Sequence, residues 1–327
     1  MIAGAALAAW LADRDAQQRS RAAVEACAHR WSHKPLMTEV ARRLADLPEK
    51  STEAILGIAR DFMDNGDQIL ALMEDMIASS GRDPFFRPPF HSVSSEIHTG
   101  LLLFHDADLS ISLGVSGVDM LAAKKSAKRA ATSITFIGVT TIFRYLKGGG
   151  STLSFWEAPP ITDGFLASDA GQCRFVDRRR IEDGEEITMD GRYQSFIVEH
   201  ATSDALYLQA IVRPNAAPLS VEYDSKSLSF ISASSTDEAS SRLQMMVSLL
   251  RTMEREDALP LMEESLASPH FYTRWHIMRE LLALDAERAL PSLQAMAARD
   301  PHPVVRAAAS RTLDMFFADE GAASCPA

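Results

Sequence analysis

The stretch Gly184-Glu-Glu-Ile-Thr-Met-Asp-Gly191, continued by Arg192 to His200, a polar break at Ala201-Thr-Ser-Asp204, and Ala205 to Arg213, decides the fold. It predicts a strand, a turn and a two-stranded hairpin. Working outward, residues 99–232 form the only long region with β character. The segments on both sides have helical spacing. The fold class expected is therefore α+β: a central antiparallel β-sandwich or jelly roll, flanked by an N-terminal helical region and a C-terminal α-solenoid.

Upstream, residues 2–31 are rich in Ala, Leu, Arg and Gln and predict a first helix. Pro35 suits the first turn of a second. Ser51-Thr-Glu-Ala54 starts a third, which Asn65-Gly66 should stop. Asp67 is the expected cap of a fourth, with Ile69, Leu70, Met73, Met76 and Ile77 on one stripe. Residues 1–83 thus form two helical hairpins. The β domain is placed at 90–233. Leu109, Ile111, Leu113 and Val115 alternate with Ser110, Ser112 and Gly114, as in a half-buried strand. Residues 118–131 fit either a short helix or an irregular excursion. Residues 134–146 form one strand, Gly148-Gly-Gly150 a turn, and residues 152–156 a strand pairing back.

Downstream, Ser235-Thr-Asp-Glu238 has the form of a capping box ahead of a helix. Then Ala258-Leu-Pro260 returns as Ala289-Leu-Pro291, Ser268-Pro-His270 as Asp300-Pro-His302, and Arg274 as Arg306. A period of about 31 with two helices per unit is a solenoid signature. Residues Asp300-Pro-His-Pro-Val-Val-Arg-Ala-Ala-Ala309 resemble the HEAT family, closest to its short bacterial variety. The resemblance implies that the proline breaks between paired helices, that Val and Ala pack inward, and that Arg and Asp tie neighbouring units. It also implies a protein partner. Ser268 stands for the Asp in the first unit, and Phe271-Tyr272 for Pro-Val. The helical segment spans 235–318, and 319–327 is expected to be a disordered tail. Phe271-Tyr-Thr-Arg-Trp-His276 is dense in residue types that anchor interfaces. The expected partner surface comprises Tyr272, Arg274, Trp275, Arg279 and Arg306.

The 327 residues carry 46% hydrophobic side chains, enough for real cores, and a net charge of −11. That charge repels phosphate backbones, and the run Arg178-Arg179-Arg180 is offset by Glu182, Asp183, Glu185 and Glu186, so nucleic acid is not an expected partner. Cys27, Cys173 and Cys325 are scattered and lack any Cys-x-x-Cys, which fits a reducing compartment. The apolar N-terminus is closed by Asp13-Arg14-Asp15 after about eleven residues, short of a span or a signal peptide. A soluble, cytoplasmic chain is expected, without a membrane partner.

The rhythm of Gly184-Glu-Glu-Ile-Thr-Met-Asp190 followed by strand, turn and strand resembles a cupin. That likeness implies a barrel with a metal held by His-x-His, a Glu and a later His. The chain has no His-x-His, and Arg192, Tyr193 and Gln194 stand where the later motif would supply its histidine. Candidate pocket residues are Arg144, Glu157, Tyr193, Gln194, His200 and Gln209; only one of Tyr207 and Gln209 is expected to face inward. Weak metal candidates are Glu96, His98 and His105, the last two not expected on one face; Glu25, His29 and His33 make half a site on the first helix. No cofactor is favoured. Two readings follow: a non-catalytic interaction or regulatory protein whose β body has room for a small ligand, and a cupin-like oxygenase or isomerase using divalent iron.

Overall fold

The structure is a computed structural model and describes residues 4–95, 97–127, 133–162 and 165–316. The expected tail and Glu96 lie outside the described residues, as does Cys325. The fold is α+β, with antiparallel sheets in the middle of the chain and helices at both ends. The chain divides into two compact units. The first comprises Met1–Ala158, Cys173–Ala216 and Asp224–Leu228; the second comprises Pro159–Gln172, Ala217–Tyr223 and Ser229–Ala327.

The first unit begins with α1 (Gly4–Ala12), α2 (Arg14–Ser32), α3 (Pro35–Ala45), α4 (Thr52–Met63) and α5 (Gly66–Arg82). The expected single first helix is broken at Asp13, whose carboxylate accepts from the Ala16 N–H at 2.9 Å and caps α2. Asn65 rather than Asp67 is the N-cap of α5, and Gly66 is its first residue. A carboxylate ties α2 to α5: Asp75 accepts from the Trp31 indole at 2.9 Å and from Arg30 at 2.9 Å.

The strands follow: β1 (His91–Ser94), β2 (His98–His105), β3 (Leu109–Ser116), then α6 (Val118–Ala127), β4 (Ser133–Phe136), β5 (Thr140–Lys147), β6 (Thr152–Glu157), β7 (Arg174–Arg180), β8 (Glu186–Asp190), β9 (Gln194–His200) and β10 (Ala205–Val212). The ambiguous excursion is thus a helix as far as Ala127, and 128–132 lie outside the described residues. The single strand expected at 134–146 is two, β4 and β5, separated by a bend at Gly138. Six strands form one antiparallel sheet in the order β1-β2-β3-β10-β5-β8, and three form another, β7-β6-β9.

Both expected hairpins are corners instead. β9 pairs with β6 while β10 pairs with β3 and β5; β6 pairs with β7 and β9, never with β5. The two corners interlock. Thr202 and Ser203 both donate their backbone N–H to the Gly149 carbonyl, at 2.9 and 3.0 Å. Gly149 sits at φ +61°, and a Cβ there would lie 2.5 Å from the Ser203 carbonyl oxygen. Only glycine lets the two corners approach so closely.

Strand parity explains the layering. Leu109, Ile111 and Leu113 of β3, Ile142 of β5, and Leu208, Ala210 and Val212 of β10 share one core with Ile55, Ile58, Ala59 and Phe62 of α4. Burying that apolar face contributes about 25 cal/mol per Å² removed from water. The alternate residues, Ser112, Gly114 and Ser116 of β3, turn to the other side of the sheet, where the second sheet covers them. This polar and small-residue face is internal, against the usual solvent-facing expectation.

The second unit holds an antiparallel pair, β11 (Leu219–Asp224) and β12 (Phe230–Ser235), and the helices α7 (Glu238–Thr252), α8 (Leu259–Glu264), α9 (Phe271–Leu284), α10 (Ala286–Arg299) and α11 (Pro303–Phe316). Asp237, not Ser235, caps α7: its carboxylate accepts from the Ser240 N–H at 2.6 Å. Val305 and Ala309 are fully buried beside Met278, Leu293 and Met296, as the repeat pattern implies. Pro301 falls between α10 and α11, and Pro269 just before α9.

Candidate functional site

In the first unit a cavity of about 190 Å³ lies between the two sheets. From the large sheet come His98 of β2, Ser112 and Gly114 of β3, Phe143 and Tyr145 of β5, and Tyr207 and Gln209 of β10; Phe196 and Val198 enter from β9. Tyr207 and Gln209 both face inward, because residues two apart lie on one side of a strand. The expectation of opposite faces was an error of parity. Gly114 opposes Tyr207 across the β3–β10 ladder, and a Cβ on it would lie 2.8 Å from the tyrosine ring, so glycine makes the space the ring occupies.

The cavity is aromatic. Phe143, Tyr145 and Tyr207 lie within 6.4 Å of one another by centroid, and Phe143 meets Phe196 edge-on at 5.1 Å. Small hydroxyls also line it, among them Thr99, Ser112, Ser116 and Ser151. Tyr207 Oη and His98 Nδ1 are hydrogen-bonded at 2.9 Å. The Tyr145 hydroxyl, on a residue only 4% exposed, has no hydrogen-bond partner among the described residues, and the half-buried Gln209 carboxamide has none either. Burial pushes the Tyr207 hydroxyl up to about 12 and Tyr145 higher still. Burial, and then the Lys124 charge, hold the His98 imidazole below its ordinary value. At neutral pH the described lining residues are therefore uncharged.

Of the predicted pocket residues, Gln209 lines this cavity and five do not. Arg144 alternates with Phe143 and Tyr145 and so points to the helical side, where it donates to Glu186 at 2.6 Å and Asp64 at 2.6 Å. Glu157 pairs with Arg174. Tyr193 lies in the turn after β8, and the Gln194 side-chain carbonyl accepts from the Asp190 N–H at 3.1 Å. His200 is exposed at the far end of β9. Among the metal candidates, His98 lines the cavity. His105 is exposed and meets Ser110 at 2.8 Å, so the two histidines are not brought together. The His29 and His33 rings lie 4.9 Å apart on the surface of α2. Among the described residues no three His, Cys, Asp or Glu side chains converge as metal ligands. Among its described residues the cavity offers one imidazole and no carboxylate, a set that does not fit a cupin iron centre. Sequence reasoning missed Phe143, Tyr145 and Phe196; the alternation Phe143-x-Tyr145 was the available signal.

In the second unit, Trp275, Arg279 and Leu282 of α9 and Thr312 and Phe316 of α11 line a groove of about 720 Å³. Phe316 is 72% exposed, and Arg279 is exposed with no ion-pair partner among the described residues. Tyr272 is instead held by Ser235, hydroxyl to hydroxyl at 3.0 Å. Arg274 departs from the expected partner surface: it is buried and forms a two-pronged ion pair with Asp300. Its Nη1 also donates to the carbonyls of Ser268 and Pro269. Arg306, 32 residues on, repeats that contact with the carbonyls of Asp300 and Pro301.

A family model of HEAT repeats matches residues 229–314. No curated protein matches the chain. Solved structures similar to part of it include ectoine synthase from P. lautus, at 10% identity over 37% of this chain and 67% of that one, with a TM-score of 0.23. A cupin-superfamily sugar phosphate isomerase from Silicibacter pomeroyi aligns at 13% identity over 43% and 78%, TM-score 0.23. A cupin domain from Bordetella pertussis aligns at 5% identity over 37% and 98%, TM-score 0.22. None of these likenesses assigns an activity. Among the described residues no helix is long and apolar enough to cross a membrane.

Proposed function

We propose that the chain is an interaction protein: its HEAT-like helices hold a segment of a protein partner, and its β body carries a small-ligand cavity. The observation that carries the first half is the groove of Trp275, Leu282 and Phe316 with Arg279, which has no ion-pair partner among the described residues, in its lining. An aromatic floor beside an exposed guanidinium suits a peptide with an apolar anchor next to a carboxylate. Of the residues expected on this surface, Trp275 and Arg279 carry the contact; Arg274 and Arg306 hold the repeats in shape.

Selection of random peptides on the full chain tests this. Peptides pairing a Leu or aromatic residue with Asp or Glu are expected to be enriched, and to be lost on both Trp275→Ala and Arg279→Glu. Absence of enrichment, or enrichment surviving both substitutions, overturns the proposal.

The second half rests on the cavity between the two sheets, on whose wall the Tyr145 hydroxyl and the Gln209 carboxamide have no hydrogen-bond partner among the described residues. A ligand that hydrogen-bonds to such groups gains about 0.5–1.5 kcal/mol per bond. The runner-up reading, an iron-dependent cupin enzyme, asks for a ligand set that the described lining does not contain. Metal analysis of the purified protein checks it: stoichiometric iron would favour the enzyme reading.

A further inference from the structure

The β cavity has a size, a polarity and a pattern of hydrogen-bonding groups, and together these specify a class of ligand. About 150 Å³ of apolar cavity takes one benzene ring. At about 190 Å³ this one takes a single ring with one substituent. Its walls are the rings of Phe143, Tyr145, Phe196 and Tyr207, which favour a flat ring packed edge-on or offset against them. No Lys, Arg, Asp or Glu is among the described lining residues, so an ionised ligand would meet no counter-charge in the wall itself; Lys124 acts on His98, and Glu185 and Arg179 on Tyr145, from outside it. Burying an unpaired ion is among the costliest changes available to a protein.

Several lining groups have no side-chain hydrogen-bond partner among the described residues, the short hydroxyls of Thr99 and Ser112 included; Tyr145 and Gln209 are the two long ones. Tyr145 is opposite Tyr207, and Phe143 opposite Gln209, on the paired strands β5 and β10. Tyr145 and Gln209 are therefore diagonal neighbours on one face, with Cα atoms roughly 7–8 Å apart. One ligand group can reach both. The Tyr145 hydroxyl donates, since it stays protonated at neutral pH. The Gln209 carboxamide both donates and accepts. The complement of that pair is an acceptor with a donor beside it. The His98–Tyr207 bond is already made and closes the wall next to them.

We infer that the cavity binds an uncharged single-ring molecule carrying a carboxamide or lactam group, held by the Tyr145 hydroxyl and the Gln209 carboxamide. The inference rests on the reading of this cavity as a ligand site.

Three probes on the full-length protein test it by ligand-observed NMR: benzamide, benzoate as its charged isostere, and toluene as a ring without hydrogen-bonding groups. Benzamide is expected to bind, with benzoate weaker by at least about 100-fold. Tyr145→Phe and Gln209→Leu should each weaken benzamide by roughly five- to tenfold while toluene binding is unchanged, which also shows that the variants keep the cavity. If benzoate binds as well as benzamide, or toluene does, the ligand class is overturned while the cavity remains a ligand site. If benzamide binding is indifferent to both substitutions, it occurs elsewhere and the inference falls. If none of the three binds, the reading of the cavity as a ligand site falls with it.

Discussion

Arg274 and Asp300 form a buried, two-pronged ion pair between consecutive helical repeats, with Nε–Oδ2 at 2.8 Å and Nη2–Oδ1 at 2.7 Å. Their side chains are 10% and 4% exposed. Burial pushes the Asp300 carboxyl up, but the bonds from Arg274 and the His302 N–H overcome it and hold it below the usual carboxylate range. Removing one partner strands a buried charge, so Arg274→Ala or Asp300→Ala should each cost about 3–5 kcal/mol. Arg274→Met combined with Asp300→Leu should cost far less than the two singles added together. Denaturant unfolding followed by Trp275 fluorescence measures this; additive costs would show that the pair does not act as a unit.

His302 packs flat on Phe271, centroids 3.8 Å apart, and is 8% exposed, and its two ring nitrogens have no hydrogen-bond partner among the described residues. Burial lowers its pKa below the ordinary 6.5; Asp300 opposes this, and Arg274 and Arg306 add to it. A histidine whose folded value is depressed resists protonation when folded. Its contribution to stability is therefore present above pH 6.5 and is lost as pH falls from there through the folded value. The melting temperature should drop between pH 7 and pH 5 in the wild type and drop less in His302→Phe, which keeps the stack and cannot titrate. Equal drops would show that other groups set the acid limb.

The repeats were legible because their signal is local: Asp300-Pro-His302, Val305, Arg306 and Ala309 fix a helix break, a buried face and a link to the preceding repeat within ten residues. The β unit was legible as strands but not as a topology. Gly148-Gly-Gly150 and Ala201-Thr-Ser-Asp204 have hairpin composition, and only pairing distant in sequence, β9 with β6 and β10 with β5, makes them corners. The cavity was legible only in part for a related reason. Alternation shows that Tyr145 and Arg144 face opposite ways, but not which side the helices cover. Here α4 takes the Arg144 side, so the polar residue that looked like a pocket group became an anchor for helices.

That anchor predicts an acid sensitivity of its own. Glu186 accepts from Arg144 at 2.6 Å and from Arg60 of α4 at 3.0 Å. Burial raises its pKa, but the bonds from Arg144 and Arg60 outweigh this and hold the carboxyl below 4.5. Its stabilisation is then present above pH 4.5 and lost as pH falls through the folded value. Glu186→Gln should destabilise the protein by about 1–2 kcal/mol at pH 7, the groups being partly solvated, and by progressively less toward pH 3. Chemical denaturation at the two pH values checks this; a difference between variant and wild type that does not shrink on acidification would place the stabilisation outside the ion pairs.

Two glycines with similar backbone angles should respond differently to alanine. Gly184 has φ +81° and nothing within 4 Å of an added Cβ, so Gly184→Ala meets only the left-handed penalty, about 1–2 kcal/mol. Gly149 has φ +61°, and its added Cβ would also press on the backbone oxygens of Ser203 and Asp204, at 2.5 and 2.8 Å. Those oxygens belong to the corner between β9 and β10 and cannot withdraw without opening the hydrogen bonds that Thr202 and Ser203 make to the Gly149 carbonyl. Gly149→Ala should therefore cost clearly more than Gly184→Ala, by roughly a further 1–3 kcal/mol from overpacking. The added strain falls where both sheets meet, so it should also loosen the cavity: amide exchange at Ala205 and Tyr207 should quicken in Gly149→Ala and stay unchanged in Gly184→Ala. Equal costs in the two variants would mean that the corners separate freely, and the interlock would then not be what holds the sheets in register.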